Sequence, residues 1–230
     1  AGEPPELPLP AVGVAPAEVS GAHADATHAT LVFFGLDNAG KSTLLQVLNN
    51  DHVVAMEPTL HPNVAEFVVG KFRFKAFDLA GHETGRRLWK EYFPIASAIF
   101  FLVDAADASR FPEAAEEIGK LMAVPILETV PVAVLGMKSD LREAVSEHEF
   151  RAALGLAGGA AAGRLVEVFM CSVVEASGAH RVRESLQWLC DHIPDGRISL
   201  PGAAGPPSSG AAVGAPEVGA ARDDDADMLV

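Results

Sequence analysis

Leu-Val-Phe-Phe-Gly-Leu-Asp-Asn-Ala-Gly-Lys-Ser-Thr-Leu-Leu, residues 31–45, is the stretch whose reading decides the fold. An apolar run of strand character ends at Gly35. The pattern Gly35-x-x-x-x-Gly40-Lys41-Ser42 follows, and a leucine-rich segment of helical character comes after it. Strand, glycine loop and helix in that order make a phosphate-binding loop. Gly35 and Gly40 let the backbone turn so that successive N–H groups and the helix N-terminus point at phosphate oxygens. Lys41 is placed to reach β- and γ-phosphates, and the Ser42 hydroxyl to ligate Mg²⁺.

Downstream, strand and helix signals alternate. Leu44, Leu45, Val47 and Leu48 give the first helix its core stripe. Residues 53–63 carry Pro58 and Pro62 and read as a loop bent toward the nucleotide. Residues 64–69 and 71–77 read as two strands joined at Gly70, with Phe72, Phe74 and Ala76 on one face and Asp78 at the end. Residues 98–103 and 131–135 are continuous apolar runs, the signature of strands covered on both faces. Residues 111–122 and 179–192 have helical spacing, and Ser146 with Glu149 reads as a capping box. A further strand is expected over 166–170. The pattern predicts an α/β fold: three α/β/α layers around a mostly parallel, six-stranded sheet. Ligands of such sheets bind at the carboxyl ends of the strands. Gly35, Asp78, Lys138-x-Asp140 and Cys171-Ser172-Val173 all follow strand ends, so they are expected at one rim.

A chain of 230 residues accommodates one such domain with tails. Residues 1–28 are Pro- and Ala-rich and lack Lys and Arg, and residues 194–230 run through Gly, Ala, Pro and Ser to Asp223-Asp224-Asp225-Ala226-Asp227. Both are expected to be disordered, leaving 29–193 as the folded domain. No apolar run is long enough to span a bilayer, and no basic start with an apolar core marks a cleaved leader. A net charge of −14 argues against general nucleic-acid or anionic-membrane binding. Cys171 and Cys190 lack metal-ligand spacing and are expected as reduced, buried thiols.

Gly-Leu-Asp-Asn-Ala-Gly-Lys, Pro-Thr-Leu-His-Pro, Phe-Asp-Leu-x-Gly-His-Glu, Arg-Arg-Leu-Trp-Lys-x-Tyr and Val-Phe-Met-Cys-Ser-Val together resemble the Sar/Arf group of the Ras superfamily of small GTPases. The likeness is greatest to its Sar branch, the GTPase of the COPII coat, and covers about residues 29–193. His82 after Asp78-x-x-Gly81, and Leu60-His61-Pro62 after Thr59, are the Sar-like features, where Arf-like chains carry Gln and Ile-Gly. The resemblance implies that Asp37, Asn38, Ala39, Gly40, Lys41, Ser42 and Thr43 wrap the phosphates of GTP or GDP. It further implies that Ser42 and Thr59 ligate Mg²⁺, with Asp78 holding a metal-bound water and Asp37 a further candidate ligand. Gly81 would offer its N–H to the γ-phosphate and His82 would orient the attacking water, which a neutral imidazole can do at cytosolic pH. Asp140 would read the guanine edge, Met137 and Lys138 would border the base, and Ser172, Val173 and Val174 would meet the guanine carbonyl.

The same resemblance implies coat subunits, an exchange factor and a GTPase-activating partner, at the cytosolic face of the endoplasmic reticulum and Golgi. Several positions depart from the pattern. Ala80 replaces a Gly, with little effect expected. Met137 replaces the Asn of Asn-Lys-x-Asp, and a thioether cannot donate to guanine N7. The loop 155–163 is shorter than in Sar proteins, and residues 1–29 hold no amphipathic helix for membrane entry. The acidic tail is not a family feature; its Met228-Leu229-Val230 end could be read by a PDZ-type groove, but a short apolar end is the simpler reading. Three alternatives stand beside a COPII GTPase: a divergent scaffold of the same fold, an Arf-like GTPase of another trafficking step, and a P-loop ATPase or nucleotide kinase. Asp140 speaks against the last, since its carboxylate would face an acceptor in adenine.

Overall fold

The computed structural model describes residues 15–16, 26–50, 63–157 and 163–195. Among the described residues, seven strands form one sheet in the order β1-β3-β4-β2-β5-β6-β7. These are β1 Ala15–Pro16, β2 Thr27–Gly35, β3 Asn63–Val69, β4 Phe72–Asp78, β5 Ala98–Asp104, β6 Val132–Met137 and β7 Val166–Met170. The six expected strands are all present, and the two residues of β1 add an edge beside β3. β3 runs antiparallel to β4, while β4, β2, β5, β6 and β7 are mutually parallel. Their carboxyl ends therefore share one rim.

Alternation along the strands builds two cores. Leu31 and Phe33 of β2 face one side with Leu44, Leu48, Val182 and Leu186, which come from α1 Lys41–Asn50 and α5 Ala176–His192. Val32 and Phe34 face the other with Trp89, Ile118 and Phe150, from α2 Trp89–Tyr92, α3 Phe111–Met122 and α4 Glu147–Ala153. Because both faces are covered, β5, β6 and the Leu31–Gly35 part of β2 are apolar at nearly every position rather than at every second one. Phe33 is fully buried and meets Phe100 edge to face at 5.4 Å. Truncating it to Ala would cost about 3–5 kcal/mol.

Helix starts follow local chemistry. Ser146 caps α4, accepting from Glu149 N–H at 3.3 Å while Glu149 Oε2 accepts from Ser146 N–H at 3.0 Å. α5 begins at Ala176, three residues before the expected 179. Ser172 Oγ accepts from Val174 and Glu175 N–H, which winds the chain at once. Gly178 allows close packing there, since a Cβ on it would lie 2.3 Å from Ser172 N. β2 begins at Thr27, whose N–H donates to Lys71 O at 2.8 Å. Cys171 is buried and Cys190 half-buried, and both are free thiols. Burial pushes each of them up to about 12, so neither is a nucleophile at neutral pH.

Candidate nucleotide site

At the end of β2 the chain makes the turn that the glycines permit. Gly35 has φ 128° and Gly40 φ 89°, and Asn38 between them adopts φ 61°. A Cβ on Gly35 would lie 2.1 Å from Leu102 O, so backbone contact with β5 also requires glycine. Lys41 is buried at the first turn of α1, where Nζ donates to Leu36 O at 2.7 Å and Gly35 O at 3.1 Å. The ammonium is thus folded back across the loop it serves. Burial pushes it down to about 8, against the pull of Asp78 and Asp37.

Ser42 Oγ donates to Asp78 Oδ2 at 2.5 Å, and Asn63 Nδ2 donates to the same oxygen at 3.3 Å. α1 and β4 therefore bring a hydroxyl and a carboxylate to one point beside the loop, hard oxygen donors of the kind Mg²⁺ takes. This pair fits the ion. Thr59, the other expected ligand, lies outside the described residues. The Asp37 carboxylate is 55% exposed and bound by Arg110 at 2.8 Å, which holds its pKa below the usual range.

Gly81 is pressed against the phosphate loop. A Cβ on it would lie 2.4 Å from Asp37 N and 2.5 Å from Lys41 Nζ. His82 beside it is half-buried, and its Nδ1 accepts from Gly85 N–H at 3.1 Å and lies 2.8 Å from Thr84 Oγ1. With Nδ1 accepting, the neutral ring carries its proton on Nε2. His82 can then donate to a water oxygen and orient it, but cannot take its proton.

The residues expected to meet the base stand at the ends of β5, β6 and β7. Lys138 has φ 62°, an uncommon conformation for a side-chain-bearing residue, and Nζ donates to Asp104 Oδ2 at 2.6 Å. Asp104 Oδ1 in turn accepts from Ala106 N–H at 3.0 Å. Ser139 N–H donates to Cys171 O at 3.1 Å, joining the loop of Lys138 and Asp140 to that of Ser172, Val173 and Val174. Met137 is 2% exposed and packs in the core with Ala39, Cys171 and Ala179. Its Cε lies 3.9 Å from where a Gly40 Cβ would stand. It meets the phosphate loop by van der Waals contact.

Asp104, Arg110, Arg86 and Trp89 also bond around the site; Arg86 and Trp89 lie in the Arg-Arg-Leu-Trp-Lys-x-Tyr motif, which assigned them no role of their own. Asp104 had a signal, a carboxylate closing an apolar strand that neighbours Lys138. Arg110 reaches Asp37 from 73 residues away, which no spacing reveals, while Arg86 and Trp89 bond Gly81 O and Ala80 O within their own segment.

A phosphate loop entering a helix, a Ser–Asp pair for a cation and a Lys-x-Asp loop beside it, at one rim of a parallel sheet, define a P-loop GTPase. The sequence pattern of the ADP-ribosylation factor family matches residues 18–193. The chain belongs to that family, the Sar/Arf group of the Ras superfamily. It is 40% identical over 174 residues to the small COPII coat GTPase SAR1 of Giardia intestinalis, covering 72% of this chain and 90% of that protein. It is 35% identical over 184 residues to the small COPII coat GTPase SAR1 of Nicotiana tabacum, covering 72% and 89%. Among solved structures, the Arl6 BBS3 small GTPase of Trypanosoma brucei with bound nucleotide analogue GppNp superposes with a TM-score of 0.62 at 26% identity, covering 72% of this chain and 96% of that one.

Proposed function

We infer that this GTPase switches a COPII-type coat, binding coat subunits in its GTP form and releasing them after hydrolysis, at the cytosolic face of the endoplasmic reticulum. The observation that carries the reading is His82 following Asp78-x-x-Gly81, together with 40% identity to a small COPII coat GTPase. Ser42, Asp78 and Thr59 would hold Mg²⁺, which supplies charge neutralisation at the phosphate oxygens. Lys41 adds a second positive charge, Gly81 N–H faces the γ-phosphate, and His82 Nε2–H orients the water. Phosphoryl transfer asks little more of a protein than this positioning. Asp140 selects guanine over adenine, and Met137 leaves guanine N7 without the usual donor.

The structural likeness to Arl6 favours a second reading, an Arf-like GTPase of another trafficking step. One experiment separates the two: the chain, loaded with GDP or with a GTP analogue, is offered purified COPII coat subunits. GTP-dependent binding supports the coat reading. Binding in neither state, with nucleotide bound, favours the second. Membrane attachment is a separate matter. Among the described residues no helix is long and apolar enough to cross a membrane, and the segment expected to lack an amphipathic helix lies almost wholly outside them.

A further inference from the structure

The two peptide groups that flank Gly81 are each held by a side chain from the segment just downstream. Trp89 Nε1 donates to Ala80 O at 3.1 Å, and Arg86 Nε donates to Gly81 O at 2.7 Å. A peptide is planar, with its C=O and N–H pointing opposite ways. Holding Ala80 O therefore aims Gly81 N–H, and holding Gly81 O fixes the plane that leads into His82. Arg86 is itself clamped. Its terminal nitrogens meet Glu113 Oε1 at 2.5 Å and Glu117 Oε1 at 3.5 Å on α3, and its side chain is 10% exposed.

Glu113 is shared. Its Oε2 accepts from Arg110 at 3.0 Å, and Arg110 reaches Asp37 of the phosphate loop through both the carboxylate, at 2.8 Å, and the carbonyl, at 3.0 Å. A continuous line of charge-assisted bonds thus runs Asp37–Arg110–Glu113–Arg86–Gly81, from the phosphate loop over α3 to the backbone beside the γ-phosphate position. Bonds of this kind are the stronger ones, and Arg is suited to the middle places because one planar fork binds two partners.

We propose that Arg86 is a positioning residue for GTP hydrolysis, and that Glu113 and Arg110 tie it to the phosphate loop so that Gly81 and His82 are aimed when the loop is in its nucleotide-holding shape. Arg86 touches neither phosphate nor water; it acts through the Gly81 carbonyl. This rests on the chain being a GTPase and adds the residues that set its hydrolysis rate. Lys at 86 would be a poor substitute, because a compact ammonium cannot hold the carbonyl and Glu113 together.

The test uses the full chain and the variants Arg86→Ala, Arg86→Lys and Glu113→Gln. Single-turnover GTP hydrolysis, GTP and GDP affinities, and amide hydrogen exchange over residues 79–90 with a bound GTP analogue are measured for each. Arg86→Ala is expected to slow hydrolysis by about 10- to 100-fold, the usual result of misplacing a reacting group by an ångström. Nucleotide affinity stays within about threefold, which marks an interaction realised only in the transition state. Exchange over 79–90 rises, Arg86→Lys fails to restore either readout, and Glu113→Gln combined with Arg86→Ala is no worse than Arg86→Ala alone. Glu113 is 40% exposed, so its substitution spares the core and tests the line should Arg86→Ala fold poorly. Parental hydrolysis and parental exchange in Arg86→Ala overturn the proposal, as does a loss of affinity equal to the loss of rate. A parent unable to hydrolyse GTP would sink the GTPase reading and this proposal with it, whereas a hydrolysing parent matched by Arg86→Ala in rate and exchange sinks the proposal alone.

Discussion

Ser42 and Asp78, 36 residues apart in the chain, meet across 2.5 Å where the helix of the phosphate loop touches the end of β4. A helix start and a strand end are thereby locked to one point, and anything that binds there couples the two. Ser42→Ala and Asp78→Ala should each lose the stimulus that Mg²⁺ gives to nucleotide retention. In the parent, chelating divalent cations should speed GDP release by about tenfold or more, each such factor being roughly 1.4 kcal/mol. The variants should release GDP fast with or without chelator. An equal chelator response in parent and variants would remove this pair from the metal site.

The ammonium of Lys41 carries a pH dependence. Its ordinary value is 10.5 and burial lowers it to about 8. Between those values the unfolded chain binds more protons than the nucleotide-free fold, so stability of that form rises with pH across the window. Nucleotide phosphates favour the charged form, and binding above pH 8 must therefore take up a proton. GDP affinity should fall by up to about tenfold per pH unit above 8 and be flat below it. Isothermal titrations on both sides of that value check the slope, and a flat profile throughout would contradict it.

Met137 separates packing from recognition. Its thioether is buried beneath Gly40, so Met137→Asn places an amide in an apolar setting at a cost of about 1–3 kcal/mol in the nucleotide-free protein. The same amide can donate to guanine N7, and GDP release should slow by about five- to 150-fold, the equivalent of one hydrogen bond to the base. Melting temperature without nucleotide and the GDP off-rate are expected to move in opposite senses. Should both worsen, the residue serves only as a prop for the phosphate loop.

His82→Gly should retain GTP and GDP at near-parental affinity while hydrolysis slows by about 100-fold, since orientation of the water is lost and binding is not. Thr84→Ala is the milder companion: Gly85 N–H still holds Nδ1, so the tautomer and most of the rate should remain. Hydrolysis by His82→Gly at the parental rate, with and without an activating partner, would refute the assignment.

Much of this molecule was legible because its constraints are local. Gly35-x-x-x-x-Gly40-Lys41-Ser42 needs no partner to specify its turn, and the both-faces-apolar runs of β5 and β6 announce a covered parallel sheet. Ser146 and Glu149 form the capping box that their spacing implied. What could not be read depends on the third dimension. α5 starts early because a serine four residues back accepts two N–H groups, and Ala176-Ser177-Gly178 looks like a turn without it. Thr27 and His28 look like linker until β4 supplies their partners. The bond that Asp37 makes to Arg110, 73 residues away, is invisible in the sequence. Met137 reads as a lost base contact, and in the fold it is also a gained core contact.

Far from the nucleotide rim, Ala15 and Pro16 lie antiparallel to Val68 and Phe67 at the edge of the sheet. An uncovered edge strand is a template for pairing with another chain, and β3 would otherwise be one. A two-residue strand containing proline occupies that edge while offering almost no donors of its own, because proline has no N–H. The pairing covers Phe67 and Val68 of the edge. Removing the chain ahead of Thr27 would bare the backbone of Val68 and Phe67 and leave that stretch of β3 as an open edge able to pair with another strand.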